Sequence, residues 1–313
     1  MTLPLLLHGA CRIDDWGVIR ARGADAAKFL QGQLTNDVLS LGPSNARLAG
    51  FCSAKGRLQA SFVVWKSHDD EFLLACSASL LAPTLKRLSM FVLRAHCKLS
   101  DASGEVVLWG LAGGDAEALT GDVGNWERSD RHGAAVIRLP DGAGLRRALV
   151  AVPAGVDSVL PAAGTLTPRI WRWLEVQSGV VTIEAVTVDR FVPQMVNFEL
   201  VGGVDFQKGC YPGQEVVARS QYRGTTKRRT FLFESDAAAA AGNDVFLAGA
   251  AGEAAGTVAN AAPLPDGPGS SALVEVRLAA LGEGELRLGS ADGPLLRRAD
   301  LPYPVALDAE AAA

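Results

Sequence analysis

The 313-residue chain has no long uncharged run and no closely spaced pair of cysteines. Its longest stretch without Asp, Glu, Lys or Arg covers residues 72–85, and those 14 residues are too few for a membrane-spanning helix, which needs about 18 or more. The apolar residues 1–7 lack a basic segment before them, so we expect neither a signal peptide nor a membrane contact.

The few cysteines exclude several kinds of site. Cys11, Cys52, Cys76, Cys97 and Cys210 are odd in number and contain no C-x-x-C pair. The chain is 49% hydrophobic, which is enough for a core without disulfides. This usage favours a reducing, cytoplasmic location. It argues against a zinc ribbon or a cluster held by this chain alone, so we expect no stable metal site within one chain.

Two regions differ in their patterns. Strand-like and helix-like segments alternate irregularly up to about residue 229, which is typical of an α+β fold. The clearest are strands over residues 16–22, 58–65 and 71–75, and helices over residues 77–94 and 168–179. After residue 229, Gly and Pro separate short β-like pieces, which predicts a small antiparallel barrel. We therefore expect a first domain over 1–224, with two lobes divided near 100, and a C-terminal β-barrel domain over 225–313.

One segment, KGCYPGQE at residues 208–215, concentrates unusual residues. Its two glycines and Pro212 predict a tight turn, with Pro212 where a helix begins and Glu215 in the first helical turn. Cys210 would then lie before a helix N-terminus and two residues from Lys208, and both features favour its thiolate form. The alternative is a buried cysteine in a structural turn. No histidine is placed to pair with Cys210, which leaves a cluster contact or reversible oxidation open.

The chain around this segment is basic, although 30 Lys and Arg against 34 Asp and Glu give the whole chain a net charge of −4. Residues 205–229 contain the cations Lys208, Arg219, Arg223, Lys227, Arg228 and Arg229, and the carboxylates Asp205 and Glu215. Such a patch could bind the anionic tail of a small molecule or a nucleic-acid phosphate. The alternative is a solvated surface beside a linker. Separately, Trp171 and Trp173 cannot share one helix face, so we expect one of them to be available to a flat ligand.

The segment KGCYPGQE matches the signature of the YgfZ family of folate-binding proteins, and the chain resembles that family within the superfamily of the glycine-cleavage aminomethyltransferase. Further likeness lies in IDDWG (13–17), FLQGQLTND (29–37), AKGR (54–57), FVPQ (191–194) with Asn197, and the pairs 223–224 and 227–228. The resemblance implies a three-lobed body around a central channel, with a β-barrel against it. The channel would bind tetrahydrofolate or a related reduced folate.

The resemblance also implies the residues of the site. The cofactor-binding residues would be Trp16, Trp171, Gln177, Asn197, Lys208, Tyr211, Gln214, Glu215, Arg219 and Arg223. The two tryptophans would hold the folate ring between aromatic faces. Gln177 stands where the superfamily tends to have a Glu that pairs with the pterin amide edge, so the charge-assisted contact is lost. Cys210 would be the reactive thiol.

One departure argues against the transferase reaction. The aminomethyltransferases carry a functional Asp on the strand that corresponds to residues 58–64, whereas this chain has no carboxylate between Asp37 and Asp69. The resemblance therefore implies a folate-binding protein, more a binding protein than an enzyme, that supports assembly or repair of iron–sulfur enzymes, including those that modify tRNA. The alternatives are a folate-dependent one-carbon (aminomethyl) transferase and a weak direct contact with tRNA through residues 219–229.

Overall fold

A computed structural model describes residues 7–156, 160, 166–222, 226–249 and 252–306. The strands of this part are β1 (Gly9–Arg12), β2 (Trp16–Arg22), β3 (Ala46–Cys52), β4 (Leu58–His68), β5 (Glu71–Ser77), β6 (Lys98–Asp101), β7 (Val106–Ala112), β8 (Arg128–Arg131), β9 (Ala134–Gly142), β10 (Leu145–Pro153), β11 (Arg228–Ser235), β12 (Asp244–Leu247), β13 (Gly256–Pro263), β14 (Ser270–Arg277), β15 (Leu286–Leu288) and β16 (Leu295–Ala299). The helices are α1 (Ala26–Gln31), α2 (Ala78–Val92), α3 (Gly114–Thr120), α4 (Pro168–Gln177), α5 (Gln214–Tyr222) and α6 (Ala280–Glu283), with 3-10 turns at Ala185–Thr187 and Pro193–Val196.

The first sheet has the strand order β3-β4-β5-β2-β6, with antiparallel neighbours. Residues on both faces of β4 are buried from Leu58 to Trp65, apart from the half-buried Gln59. A strand covered on both sides reads as a nearly continuous apolar run rather than an alternation, which is why β4 is recognisable in the sequence. Phe29 and Leu30 of α1 and Leu88 of α2 complete the same core.

The second sheet has the order β1-β7-β10-β9-β8. Its edge strand β1 comes from the start of the chain and pairs antiparallel with β7, with Gly9 opposite Ala112. The second sheet therefore combines residues 9–12 with residues 106–153. A lobe division near residue 100 would assign residues 9–12 to the first lobe, although they pair with the second sheet. The domain boundaries themselves remain a prediction.

The C-terminal strands form a closed barrel in the order β11-β14-β13-β12-β15-β16. Closure leaves no free edge, so a small barrel can be built from short, Gly-punctuated strands. The predicted α+β class with a C-terminal antiparallel barrel is confirmed. The barrel is fastened to the rest of the chain by side-chain hydrogen bonds: the Tyr303 hydroxyl donates to the Gly179 carbonyl at 2.7 Å, and the Asn260 amide donates to the Thr182 carbonyl at 2.9 Å.

Several elements have the predicted bounds and others were missed. The strand over 16–22 is β2, and the two long helices are α2 and α4. The Thr167 hydroxyl caps α4 by accepting the Ile170 amide at 3.3 Å. The missed β1, β6 and β8 have only four residues each, too few to show alternation. None of the described helices is long and apolar enough to cross a membrane.

Candidate functional site

The segment of residues 208–215, here called the signature turn, packs on the turn between β3 and β4. Gly213 and Gly56 face each other there, and both have a left-handed backbone, with φ of +79° and +69°. A Cβ atom on Gly213 would lie 2.3 Å from the Ser53 carbonyl oxygen and 2.6 Å from the Gly56 Cα atom. Only glycine fits such a close approach of two backbones. The signature turn is therefore fixed by contact with a distant turn as well as by its own sequence.

Lys208 anchors the signature turn from inside. Its side chain is buried, and its ammonium donates to the main-chain carbonyls of Gln31 and Leu34, the latter at 2.6 Å. The ammonium also lies 4.9 Å from the centre of the Tyr211 ring. Burial lowers the pKa of Lys208 to about 8, against the opposing negative charges of Asp37 and Asp205. Lys208 thus holds the signature turn against the end of α1 and the residues that follow it.

Cys210 is exposed, whereas the other four cysteines are buried or half-buried. Burial raises the pKa of Cys11 and Cys97 to about 11, and that of Cys52 and Cys76 to about 12. At neutral pH these four therefore remain neutral thiols. Cys210 is the cysteine that a partner or reagent reaches most easily.

The helix after Cys210 starts later than the sequence predicted. It begins at Gln214 rather than Pro212 because the left-handed Gly213 interrupts a helical path. Glu215 lies in the first turn, as expected, and is exposed. The Gln214 side chain accepts the Tyr211 amide at 3.3 Å, and Gln194 donates to the Val217 carbonyl at 2.8 Å. These contacts give Gln214 and Tyr211 a role in fixing the turn.

Asn197 and the cations near the signature turn are mostly engaged within the chain. Asn197 is buried and donates to the Thr230 carbonyl on β11 at 2.7 Å. Arg228 pairs with Glu275, and Arg229 pairs with Glu199. Of the six cations counted in the sequence, Lys208 is also buried and Arg223 lies outside the described residues. Arg219 and Lys227 are exposed and form no ion pair within the described chain, so the surface patch is smaller than the charge count suggested.

A separate cavity lies where the two sheets meet α4 and the barrel. Its outer part has a volume of about 390 Å³, within the range of roughly 300–1,000 Å³ typical of small-molecule sites. Its inner part has a volume of about 30 Å³. Both parts are lined by Trp16, Glu175, Val180 and Thr182, and we call them together the central cavity. A ring system fits the outer part, while the inner part has room for little more than a water molecule.

Charged groups face the central cavity from α4 and β10. Burial raises the pKa of Glu175 to about 8, although the positive charges of Arg147 and Arg172 oppose that rise. Burial lowers the pKa of Arg147 to about 10. Arg172 forms an ion pair with Asp15 at 2.9 Å at the outer part. Because Glu175 keeps its proton near neutral pH, its carboxyl group can donate a hydrogen bond as well as accept one.

Trp126 lines the inner part of the central cavity. Its φ of +67° is rare for a bulky residue. Three hydrogen bonds hold it: its amide donates to the Arg138 carbonyl at 2.8 Å, its carbonyl accepts the Ala46 amide at 2.7 Å, and its indole donates to the Val201 carbonyl at 3.0 Å. Its contribution to the cavity had no sequence signal, because it depends on a loop conformation set by these distant contacts.

The structure brings only some of the expected folate residues to the central cavity. Of the expected pair of tryptophans, Trp16 lies on its wall. Trp171 is only 2% exposed, with its ring against Gly110 and 4.5 Å below the Arg147 guanidinium. Gln177 donates to the Ser271 hydroxyl of the barrel at 3.1 Å. Neither Trp171 nor Gln177 lines the cavity, because α4 turns other positions toward it.

Those other positions are Arg172, Glu175 and Val176, which share one face of α4 at three- and four-residue spacing. The charged pair Arg172 and Glu175, three residues apart on one face of α4, is the signal that sequence reasoning passed over. Trp173 donates to the Ser271 hydroxyl at 3.2 Å, so the barrel covers it and the expectation of a tryptophan free for a ligand is corrected. No described residue of the signature turn lines the cavity either, since that turn packs on α1 and the β3–β4 turn.

Comparison with known proteins identifies the family. Residues 9–132 match the model of the GCVT N-terminal domain. The tRNA-modifying protein YgfZ of Sodalis glossinidius (strain morsitans) is 32% identical over 280 residues, covering 85% of this chain and 83% of that protein. The protein of the same name from Edwardsiella ictaluri (strain 93-146) is 34% identical over 259 residues, covering 75% and 72%. The chain belongs to the YgfZ family. The resemblance read from the signature turn is thereby confirmed.

A solved structure shares the fold of this chain. The glycine cleavage system aminomethyltransferase T from Bartonella henselae superimposes with a TM-score of 0.71, covering 95% of this chain and 87% of that one. The two sequences are 15% identical, so the likeness shows a shared fold.

Within that fold, β4 contributes Ser61, Phe62 and Val63 to the central cavity, and no carboxylate. Carboxylates reach the cavity from other elements instead, namely Asp15, Glu175 and Glu184. Within the described residues, no cluster of three or more His, Cys, Asp or Glu side chains is arranged to hold a metal ion.

Proposed function

We propose that this YgfZ-family chain binds a reduced folate in the central cavity and supports iron–sulfur enzymes, including those that modify tRNA. The name of its relatives, tRNA-modifying protein YgfZ, supports the link to tRNA modification, and the aminomethyltransferase fold supports the folate. The observation that carries the proposal is the central cavity itself, in which Trp16 stands beside Glu175, a carboxyl group that retains its proton.

The residues of the cavity suit a folate. Trp16 offers an aromatic face to a flat heterocycle. Glu175 can accept from ring N–H groups when ionised, or donate to a ring carbonyl when protonated. Arg172, about half exposed at the outer part, pairs with Asp15 through its Nε atom, and its remaining N–H groups can donate to the anionic tail of the ligand. Bound folate would supply one-carbon chemistry, while the chain binds and orients it.

The Cys210 thiol and the proposed folate site lie in different parts of the molecule. Cys210 is exposed on the signature turn, and no described residue of that turn lines the central cavity. Cys210 therefore acts on something that approaches from outside, such as a client protein or its cluster. This separation favours a protein that supports other enzymes over one whose thiol attacks its own bound folate.

The test is titration of the protein with tetrahydrofolate, followed by tryptophan fluorescence and calorimetry. Trp16→Leu should weaken binding by about two- to tenfold, in keeping with the roughly 0.5–1.5 kcal/mol of a ring contact beyond burial. Trp109→Phe, on the second sheet, is the matched control and should leave affinity unchanged. Trp171→Ala is a poor probe because loss of this buried ring should destabilise the fold by about 3–5 kcal/mol. Absence of saturable binding of any reduced folate would refute the proposal.

A one-carbon transferase is the second candidate, and Glu175 is the observation that favours it. A carboxyl group with a pKa near 8 can act as a general acid at neutral pH. The carboxylate-free β4 argues against it, so we expect no tetrahydrofolate-dependent aminomethyl transfer from the glycine-cleavage carrier. Turnover of about 1 per second or faster, abolished by Glu175→Gln, would establish the second candidate instead.

A further inference from the structure

A second cavity of about 400 Å³ lies between the β3–β4 turn and the barrel. Its wall includes Arg57 from that turn, Arg190, Phe191 and Met195 from the segment before α5, and Arg228 and Glu275 from the barrel. It shares no lining residue with the central cavity. Three arginines that are far apart in the sequence therefore converge on one concave space, which we call the arginine cavity.

The arginine cavity has more positive than negative charge. Only Arg228 has a close carboxylate: its Nε and Nη2 atoms both donate to Glu275, the latter at 2.9 Å. The Arg57 guanidinium donates instead to the main-chain carbonyls of Asp189, at 3.4 Å, and Arg190. One carboxylate among the lining residues thus faces three guanidiniums, which leaves a local balance of +2.

The carboxylate of Asp244, which lies near Arg190, does not neutralise this charge. The Arg190 Nη1 atom lies 4.0 Å from that carboxylate, and the Arg190 and Asp244 side chains are 46% and 53% exposed. An ion pair this long and this exposed is weak, because water screens it and both side chains keep their freedom. Arg190 and Arg57 therefore retain N–H donors for a ligand.

We propose that the arginine cavity binds a dianionic phosphate group. A local charge of +2 matches a phosphate monoester, and guanidinium forks bond phosphate oxygens in pairs. The volume exceeds that of a phosphate alone. The half-buried Met195 gives one wall a small apolar surface against which a flat substituent would pack. The ligand is therefore inorganic phosphate or the phosphate of a nucleoside monophosphate, two sources with the same anchoring chemistry.

The position of the arginine cavity links it to the signature turn. Gly56, next to Arg57, is the residue that contacts Gly213, and Gln194, next to Met195, bonds the Val217 carbonyl of α5. A phosphate bound there would rest on both segments that hold the signature turn. The site does not depend on folate binding, because the two cavities are lined by different residues.

The experiment is calorimetric titration of the full chain with inorganic phosphate and, separately, with AMP, at constant ionic strength. Arg190→Gln is the informative variant, since this side chain is half exposed and has no close partner. We expect it to weaken phosphate binding at least tenfold. Arg131→Gln removes the same charge from an exposed position on β8, on the other sheet, and should not change the affinity. Tetrahydrofolate binding should be the same in both variants and the wild type.

The outcomes distinguish a nucleotide from free phosphate, and specific binding from nonspecific attraction to charge. AMP binding that is tighter than phosphate binding and sensitive to Arg190→Gln assigns the cavity to a nucleotide, whereas equal affinities assign it to free phosphate. No saturable binding of either ligand by the wild type overturns the proposal. Equal losses in Arg190→Gln and Arg131→Gln also overturn it, because they indicate nonspecific attraction to the net charge. Arg57→Gln, which should weaken binding in the same way, gives an independent check.

Discussion

Gly213→Ala should release the signature turn from the β3–β4 turn. Alanine at φ +79° suffers the left-handed penalty of about 1–2 kcal/mol. Its Cβ atom would also lie 2.3 Å from the Ser53 carbonyl oxygen, and such overpacking typically costs about 1–3 kcal/mol. The Cβ atom would also lie 2.6 Å from the Gly56 Cα atom. Both neighbours are backbone atoms, which cannot rotate away as a flexible side chain would. We therefore expect a loss of about 2–5 kcal/mol in the free energy of unfolding.

The signature turn contains its own control for this prediction. A Cβ atom on Gly209 would meet no atom within 4 Å, and Gly209 has no left-handed backbone, so Gly209→Ala should change stability by less than about 0.5 kcal/mol. Urea unfolding followed by tryptophan fluorescence compares the two variants with the wild type. If Gly213→Ala unfolds at the wild-type midpoint, or if both variants lose the same stability, the close approach to Gly56 does not hold the turn.

Three further predictions concern titratable and reactive groups. Cys210 should be alkylated faster than the other cysteines near neutral pH, because their burial raises their pKa values to about 11–12; equal rates at all five sites, measured by mass spectrometry, would contradict this. Cys210→Ser should fold and bind folate but fail to restore iron–sulfur enzyme activity in a deletion strain, and full restoration would remove the thiol from the mechanism. Folding raises the pKa of Glu175 from 4.5 to about 8, so the folded state binds a proton that the unfolded state has lost in this range. The contribution of Glu175 to the free energy of unfolding therefore falls as the pH rises from about 4.5 to 8. Glu175→Gln should flatten that decline in unfolding measured against pH, and an unchanged slope would contradict the prediction.

Much of the architecture is encoded locally and could be predicted from the sequence. The buried run of β4 follows from side-chain burial on both faces of the strand. The signature turn follows from its Gly and Pro residues, which restrict the backbone wherever they stand. The likeness to the family was visible for the same reason, since its signature is a continuous segment whose residues are mutually constrained.

The tertiary structure alone decided which side chains reach a ligand. Trp16 and Glu175 both line the central cavity because the fold brings α4 to the start of β2, where Arg172 pairs with Asp15. No local pattern encodes this relation. The same packing places Trp171 in the core, and the barrel covers the opposite face of α4, so Trp173 meets Ser271 instead of a ligand.

The availability of the charged side chains also depends on tertiary packing. The sequence counted six cations near the signature turn, but burial and ion pairs with Glu275 and Glu199, distant in the chain, engage Lys208, Arg228 and Arg229. Composition determines how many charges a segment carries. Only the packing of remote segments determines which of them stay available, because a charge taken from water must find its partner wherever the fold brings one.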